Sequence, residues 1–315
     1  MSGQVEASPS FWAGYRQSLK SPEVEETVDL YVHRPLAYLL ARALLNTPVS
    51  PNFITLCSFI AGMYGAYLIV ADVPHHYQWA ALCCFTCTVL DCADGQLARL
   101  RKTSSVIGRM LDGTVDTTVT AFVVAGVTYR IFEQYVTTAW QGALAVAFSL
   151  AVAVTTSVQT TLFDHYKTVF MKLTVPGFKE AESYATARRN FEQQKNLSPL
   201  MRFAWGMYLQ FVGNQGAAVR RWDPSTVTEF NELGEYDPAR VPAFLEHTTP
   251  VMRTWRRWFG WGSLQMGIAL SLLFEVPEYY MLLRVTLMNL AFYGPLRSRQ
   301  RRASARAMAA IGVKV

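Results

Sequence analysis

Asp91-Cys92-Ala93-Asp94-Gly95-Gln96-Leu97-Ala98-Arg99, eight further residues, and then Gly108-Arg109-Met110-Leu111-Asp112-Gly113-Thr114-Val115-Asp116 form the stretch on which the reading of this chain turns. Its flanks are apolar enough for membrane helix, yet it holds four carboxylates. Asp91 and Asp94 are spaced i,i+3, and Asp112 and Asp116 are spaced i,i+4, so each pair lies on one face of a helix. A short basic loop, Arg101 and Lys102 with Thr103 to Ser105, predicts an antiparallel hairpin that gathers the four acids near one membrane surface. Four bare charges in a poorly solvated place must protonate, pair with cations or bind metal. Hard divalent cations such as Mg²⁺ take carboxylate oxygens and commonly bridge them to phosphoryl oxygens. The residues therefore point to metal-assisted phosphoryl chemistry at a membrane surface.

The 315-residue chain is 51% hydrophobic, but its mean hydropathy is only +0.14, so a polar segment must dilute a membrane bundle. The five cysteines, Cys57, Cys83, Cys84, Cys87 and Cys92, all lie in apolar stretches. Cys84 and Cys87 form a C-x-x-C without the second pair a zinc site needs, and they read as packed, reduced thiols. The first 50 residues lack the basic start and short apolar core of a secretory signal.

In chain order, residues 1–20 are polar and read as a loose start. Ser21-Pro22-Glu23 reads as a helix entry, with a capping serine, proline at the first position and acid in the first turn. Pro35 is expected to break or restart that helix. Residues 36–45, apolar with Arg42 among them, are too short to span a bilayer. They predict an amphipathic helix, either at the membrane interface or packed on the bundle. Thr47-Pro48 and Ser50-Pro51 form a turn. Six spans are expected at residues 53–71, 78–97, 107–132, 139–162, 258–274 and 279–293. Gly62 and Gly65 give the first a smooth face for close packing. Residues 163–257 hold polar runs such as Asn231-Glu232-Leu233-Gly234-Glu235-Tyr236-Asp237-Pro238 and predict a cytosolic insertion of short helices and loops.

The expected fold class is thus an all-α membrane protein of six transmembrane helices, with a preceding interfacial helix and an insertion between the fourth and fifth spans. Its parts are residues 1–50, 51–162 (the first four spans and the motif), 163–257, 258–295 and a basic tail at 296–315. With the amino terminus inside, only Arg130 and Arg284 of the 29 Lys and Arg residues fall on or near the far side. That is the positive-inside pattern. It puts both termini and the acidic stretch in the cytosol, and it accounts for the net charge of +6 without nucleic acid. A transporter reading predicts acids spread along a pathway, whereas these gather at one end.

D-x-x-D-G-x-x-A-R followed by G-x-x-x-D-x-x-x-D resembles the signature of the CDP-alcohol phosphotransferases, integral membrane enzymes. Asp91, Asp94, Gly95, Ala98, Arg99, Gly108, Asp112 and Asp116 fill its eight fixed positions. The resemblance implies transfer of a phosphoalcohol, here favouring a phosphatidyl group, from a CDP-linked donor to a hydroxyl acceptor with release of CMP, in phospholipid biosynthesis. It implies Asp91, Asp94 and Asp112 as metal ligands and Asp116 as general base with metal contact. Two Mg²⁺ ions per site are implied, with Mn²⁺ as the alternative. Gly95 would let the nucleotide approach the backbone, Arg99 would grip the pyrophosphate, and Ala98 and Gly108 would keep space for the nucleotide. Ser105 or Thr103 would add a hydroxyl.

Pro51-Asn52-Phe53-Ile54-Thr55 is similar to a run that helps bind the nucleotide in many members, with a helix cap by Asn52 as the alternative. CDP-diacylglycerol is the favoured donor, a soluble CDP-alcohol with a lipid or polyol-phosphate acceptor is the runner-up, and a homodimer is implied. Gly113 and Thr117 depart from the pattern of many inositol-phosphate-using relatives, which counts against that acceptor. A phosphorylated acceptor would need further basic residues, for which Asp164, His165, Tyr166, Lys167 and Lys172 are candidates; snorkelling at the interface is their alternative role.

Overall fold

The computed structural model describes residues 11–19, 21–103, 106–178, 184–194 and 197–313, with the backbone alone at 106, 107, 109–111, 200, 203, 204, 207 and 211. Ser105 lies outside the described residues. Among those described there is no strand. The order is α1 (Phe11–Ser18), α2 (Arg34–Leu44), α3 (Pro51–Val70), α4 (His76–Leu100), α5 (Val106–Tyr135), α6 (Ala139–Thr174), α7 (Tyr184–Gln193), α8 (Pro199–Trp222), α9 (Val241–Trp258) and α10 (Trp261–Leu273). A last helical run holds α11 (Pro277–Leu283), α12 (Asn289–Ala291) and α13 (Arg297–Ala310), joined by π-turns at Arg284–Met288 and Phe292–Leu296.

Local chemistry explains most of these starts. Ser50 caps α3 by accepting from the Phe53 amide at 3.2 Å, with Pro51 at the first position. The cap is Ser50, and Asn52 stands exposed in the first turn. A capping box of Thr138 and Gln141 opens α6, and Ser198 with Pro199 opens α8. Two expectations near the amino terminus are corrected. Ser21-Pro22-Glu23 is a turn in which the Ser21 hydroxyl donates to the Glu23 carboxylate at 2.6 Å instead of capping a helix. Pro35 does not break its helix, because a π-turn at Asp29–His33 leads straight into α2. The wider turn relieves the clash between the proline ring and the preceding turn that a regular helix would suffer.

Among the described residues, three helices are long and apolar enough to cross a membrane: Pro51–Val70, Asp112–Tyr135 and Ala139–Thr174. Six were expected. Acids and amides fill the last turns of α4, α10 has 13 residues, and Arg284 interrupts the run after Pro277. At about 1.5 Å per residue, α10 covers about 20 Å of a core about 30 Å thick. The 36 residues of α6 reach about 54 Å and so project beyond the bilayer.

Helix α3 packs against both α4 and α5. Its Gly62 makes the approach feasible, since a Cβ there would lie 2.6 Å from Val119 and 2.9 Å from the Cys87 sulfur. The core of this layer joins Ala66, Ile69, Cys84, Val119, Val123, Val152, Leu264 and Leu272. The cysteines are free thiols.

A second core sits at the far end of α6. It joins Phe163, Tyr166 and Phe170 to Trp222, Phe230, Phe244 and Trp255, and to Phe292, Ala303 and Ala307 of the last run. The polar segment therefore folds as long helices, α8 and α9, rather than short ones, and the basic carboxyl-terminal segment packs with them. Arg297 and Arg301 donate to the Trp222 carbonyl at 3.0 and 2.8 Å, satisfying an orphan acceptor at the end of α8. Asp223 accepts from Tyr166 at 2.9 Å and from Ser304 at 2.6 Å inside this core.

Arg101, expected as part of a basic loop, is committed elsewhere. Its guanidinium donates to the carbonyls of Leu44, Leu45, Thr47 and Val49, tying the α2–α3 turn to the end of α4. Arg101→Ala strands these acceptors, and a loss of about 2–4 kcal/mol is expected. A thermal-unfolding midpoint lowered by several degrees in detergent checks this, and an unchanged midpoint contradicts it.

Candidate active site

The signature helices bring Asp91, Asp94 and Asp112 together. One carboxylate oxygen from each lies within 4.8 Å of the others. Asp94 is buried and the other two are half-buried. One Asp112 oxygen is buried with no hydrogen-bond partner. Three carboxylates this close, one with an unpartnered buried oxygen, suit a hard divalent cation. Asp116, one helical turn beyond Asp112, is not part of this trio. It faces the same cavity, as does the Trp261 indole of α10.

The other positions take distinct places. The Thr55 hydroxyl, buried at the start of α3, lies 2.5 Å from Asp94 Oδ2. It orients a candidate metal ligand, a role the sequence did not reveal because the two residues are 39 positions apart. Asn52 makes no such contact among the described residues and is exposed. Gly95 is covered by the Arg99 guanidinium, which would stand 3.3 Å from a Cβ there. Arg99 Nε donates to the Ser18 carbonyl at 2.7 Å, and Gln96 donates to the Ser18 hydroxyl at 3.0 Å. The supposed loose start thus contains a helix, α1, seated on the signature. Ala98 and Gly108 are half-buried near the end of α4 and the start of α5.

A cavity of about 800 Å³ opens beside the acids. Asp112, Thr114, Asp116 and Thr117 line its upper wall on α5; Asp164 and Lys167 stand on α6 and Gln215 on α8. Val123, Val127, Val152, Ile268, Leu272 and Met281 line an apolar floor. Of the proposed acceptor cluster, Asp164 and Lys167 face this cavity, while His165 and Tyr166 are buried toward the second core. Glu26 also lines it. Its carboxylate accepts from the Ser263 amide at 3.0 Å at the start of α10. Burial and the neighbouring Asp29 push the Glu26 carboxyl up to about 8, against the pull of Lys167 and the backbone amides.

Residues 48–178 match the model of the CDP-alcohol phosphatidyltransferase family. The matched segment runs from just before α3 to just beyond α6 and contains the three-acid cluster and Asp116. The chain is also similar to a protein of Rubrobacter xylanophilus named bifunctional IPC transferase and DIPP synthase, at 34% identity over 83 residues. That match covers 26% of this chain and 18% of the relative's length. Among the described residues, three helices long and apolar enough to cross a bilayer suit an integral membrane protein.

Two outcomes test the site. Thr55→Val removes the hydroxyl at Asp94, and the Mg²⁺ concentration giving half the maximal thermal stabilisation is expected to rise about tenfold. An unchanged concentration would detach Thr55 from the cluster. For Glu26, a folded-state value raised from 4.5 to about 8 means that the folded chain binds more protons than the unfolded one between these pH values. This group's contribution to stability therefore falls as pH rises through that window. Glu26→Gln is expected to flatten the fall, gaining thermal stability over the wild type at pH 8–9 (roughly the upper end of the window) and little at about pH 5. Parallel melting curves at all pH values would contradict it.

Proposed function

We propose that this chain is a membrane phosphotransferase that moves a phosphoalcohol, favouring a phosphatidyl group, from a CDP-linked donor to a hydroxyl acceptor and releases CMP. The observation that carries the reading is the junction of a three-carboxylate cluster with a cavity that is polar at its acids and apolar at its floor. Such a cavity suits a substrate with an anionic head and an acyl tail, which supports CDP-diacylglycerol as donor.

Asp91, Asp94 and Asp112 would hold the divalent ions, Mg²⁺ by preference in the cytosol, and Thr55 keeps Asp94 in register. When bound, the ions neutralise charge on the pyrophosphate and on the departing CMP. Asp116 stands apart from the trio on the cavity wall and takes the proton of the attacking acceptor hydroxyl. The Trp261 indole lines the same cavity from α10. The apolar floor keeps water from competing with the acceptor.

Six spans remain part of the proposal. Large apolar side chains are exposed on α3 (Phe53, Ile60), α4 (Trp79, Leu82), α5 (Phe122), α6 (Leu144, Leu150), α10 (Leu270, Leu273) and the last run (Leu282, Leu287, Leu290). Exposed apolar faces on six helices suit a lipid surround. Exposed Leu36 and Leu39 on α2 favour an interfacial position for it, although Ala37 and Ala41 pack inward. The excess of basic residues supports a cytosolic active site. A homodimer rests on the family resemblance alone.

CMP release by the purified full chain, with CDP-diacylglycerol and a panel of alcohols, tests the proposal. Release is expected to require Mg²⁺ and to stop with EDTA. Asp116→Asn is expected to slow turnover about 10²- to 10⁴-fold while CDP-donor binding persists. No CMP from any donor, or wild-type turnover by Asp116→Asn, would refute it.

A further inference from the structure

A second, smaller cavity of about 260 Å³ lies outside the domain match for most of its lining, between the end of α6, the start of α7, α8 and the segment entering the turn at Phe230–Leu233. Val212, Gln215 and Phe230 line both cavities and form the partition between them. The Gln215 amide pins that partition to α6, donating to the Thr161 carbonyl at 3.2 Å and to Asp164 Oδ2 at 3.3 Å. None of the four signature acids lines the smaller cavity. Its volume falls below the roughly 300–1,000 Å³ of sites for drug-sized ligands, which limits an occupant to a small solute.

The lining is polar and under-used. His165 lines it with 2% of its surface exposed, its ring stacked on Phe230 at a centroid distance of 5.3 Å. The buried Nε2 has no hydrogen-bond partner among the described residues, and leaving such an atom unpaired is costly. Gly213, Gly216 and Arg220 recur at i, i+3 and i+7, so they share one face of α8. The Arg220 guanidinium lies over that face, with Nη1 3.7 Å from where a Gly216 Cβ would stand. Nη1 also donates to the Thr228 hydroxyl at 3.5 Å, a long contact that leaves the fork free for a stronger acceptor. Glu229, next in the chain, lines the cavity and is half-buried. Among the described residues neither Arg220 nor Glu229 forms an ion pair.

The two charges decide the ligand class. A simple anion drawn to Arg220 meets the Glu229 carboxylate, and a simple cation drawn to Glu229 meets the guanidinium. A small molecule that carries both charges satisfies both groups. We propose that this cavity binds a free α-amino acid, its carboxylate on Arg220 and its ammonium on Glu229 and His165. The planar fork of arginine matches the two oxygens of a carboxylate. With its proton on Nδ1, the imidazole offers Nε2 as an acceptor for the ammonium. Tyr184 and Val212 supply apolar surface for the side chain. The partition keeps the ligand from the signature acids, so it binds without being a reactant, and the inference stands apart from the phosphotransferase reading.

The test is equilibrium dialysis of a panel of radiolabelled proteinogenic L-amino acids against the full chain in neutral-lipid nanodiscs, with EDTA present. At least one is expected to be retained at millimolar free concentration. For that one, Arg220→Gln and Glu229→Gln are each expected to weaken binding about 10- to 100-fold. His165→Phe, which keeps a ring against Phe230, is expected to weaken it about 3- to 10-fold. The amine lacking the carboxylate and the acid lacking the ammonium are each expected to bind at least about tenfold more weakly than the parent amino acid. Arg220 is exposed and Glu229 half-buried, so unchanged thermal-unfolding midpoints are expected for both charge variants. Retention of no amino acid, equal binding by wild type and both charge variants, or displacement by CDP-diacylglycerol with Mg²⁺ overturns the inference. Absence of CMP release with amino-acid binding intact would instead count against the phosphotransferase reading alone.

Discussion

Mutual repulsion among carboxylates is the constraint on which this structure depends. Asp91, Asp94 and Asp112 present oxygens within 4.8 Å of one another, with Asp116 one turn away. Like charges so placed favour neither a dry core nor an empty cleft. Much of the surrounding architecture fixes them there. Gly62 lets α3 approach both α4 and α5, Thr55 on α3 reaches Asp94, Arg101 locks the turn that enters α3, and α1 holds the outer end of α4 through Gln96 and Arg99. Three carboxylates held this close suit a hard divalent cation.

The second core serves this site from outside the matched domain. It is built from the end of α6, from α8 and α9, and from the last helical run. Through it the α6 wall of the cavity is anchored to helices that lie far downstream. The last run then returns Arg284 to the cavity, and α9 delivers Trp261 at the start of α10. Residues that shape the space opposite the acids thus come from beyond residue 178, where the family match ends.

The acids and their spacing were legible in the sequence because helical periodicity places i,i+3 and i,i+4 residues on one face whatever the tertiary context. The long apolar helices were legible for a similar local reason. What escaped reading is non-local. Pro35 is carried into its helix by a π-turn, which leaves no residue pattern. The partnership of Thr55 with Asp94, and of Arg101 with four carbonyls, joins residues about 40 to 60 positions apart, and such pairings depend on packing rather than on propensity. The basic carboxyl-terminal segment looked like a free tail because its charges hide a buried stripe of Ala303, Ala307 and Met308. His165 and Lys167 were grouped by sequence, but two residues of helix turn them to different sides, one into the second core and one to the cavity.

The most direct test of the central claim is electron paramagnetic resonance of Mn²⁺ titrated into the purified full chain. The account predicts a bound-Mn²⁺ spectrum that changes when CDP-diacylglycerol is added and that Asp112→Asn abolishes. A spectrum of free aqueous Mn²⁺ at every concentration, or bound Mn²⁺ unaffected by Asp112→Asn, would contradict it.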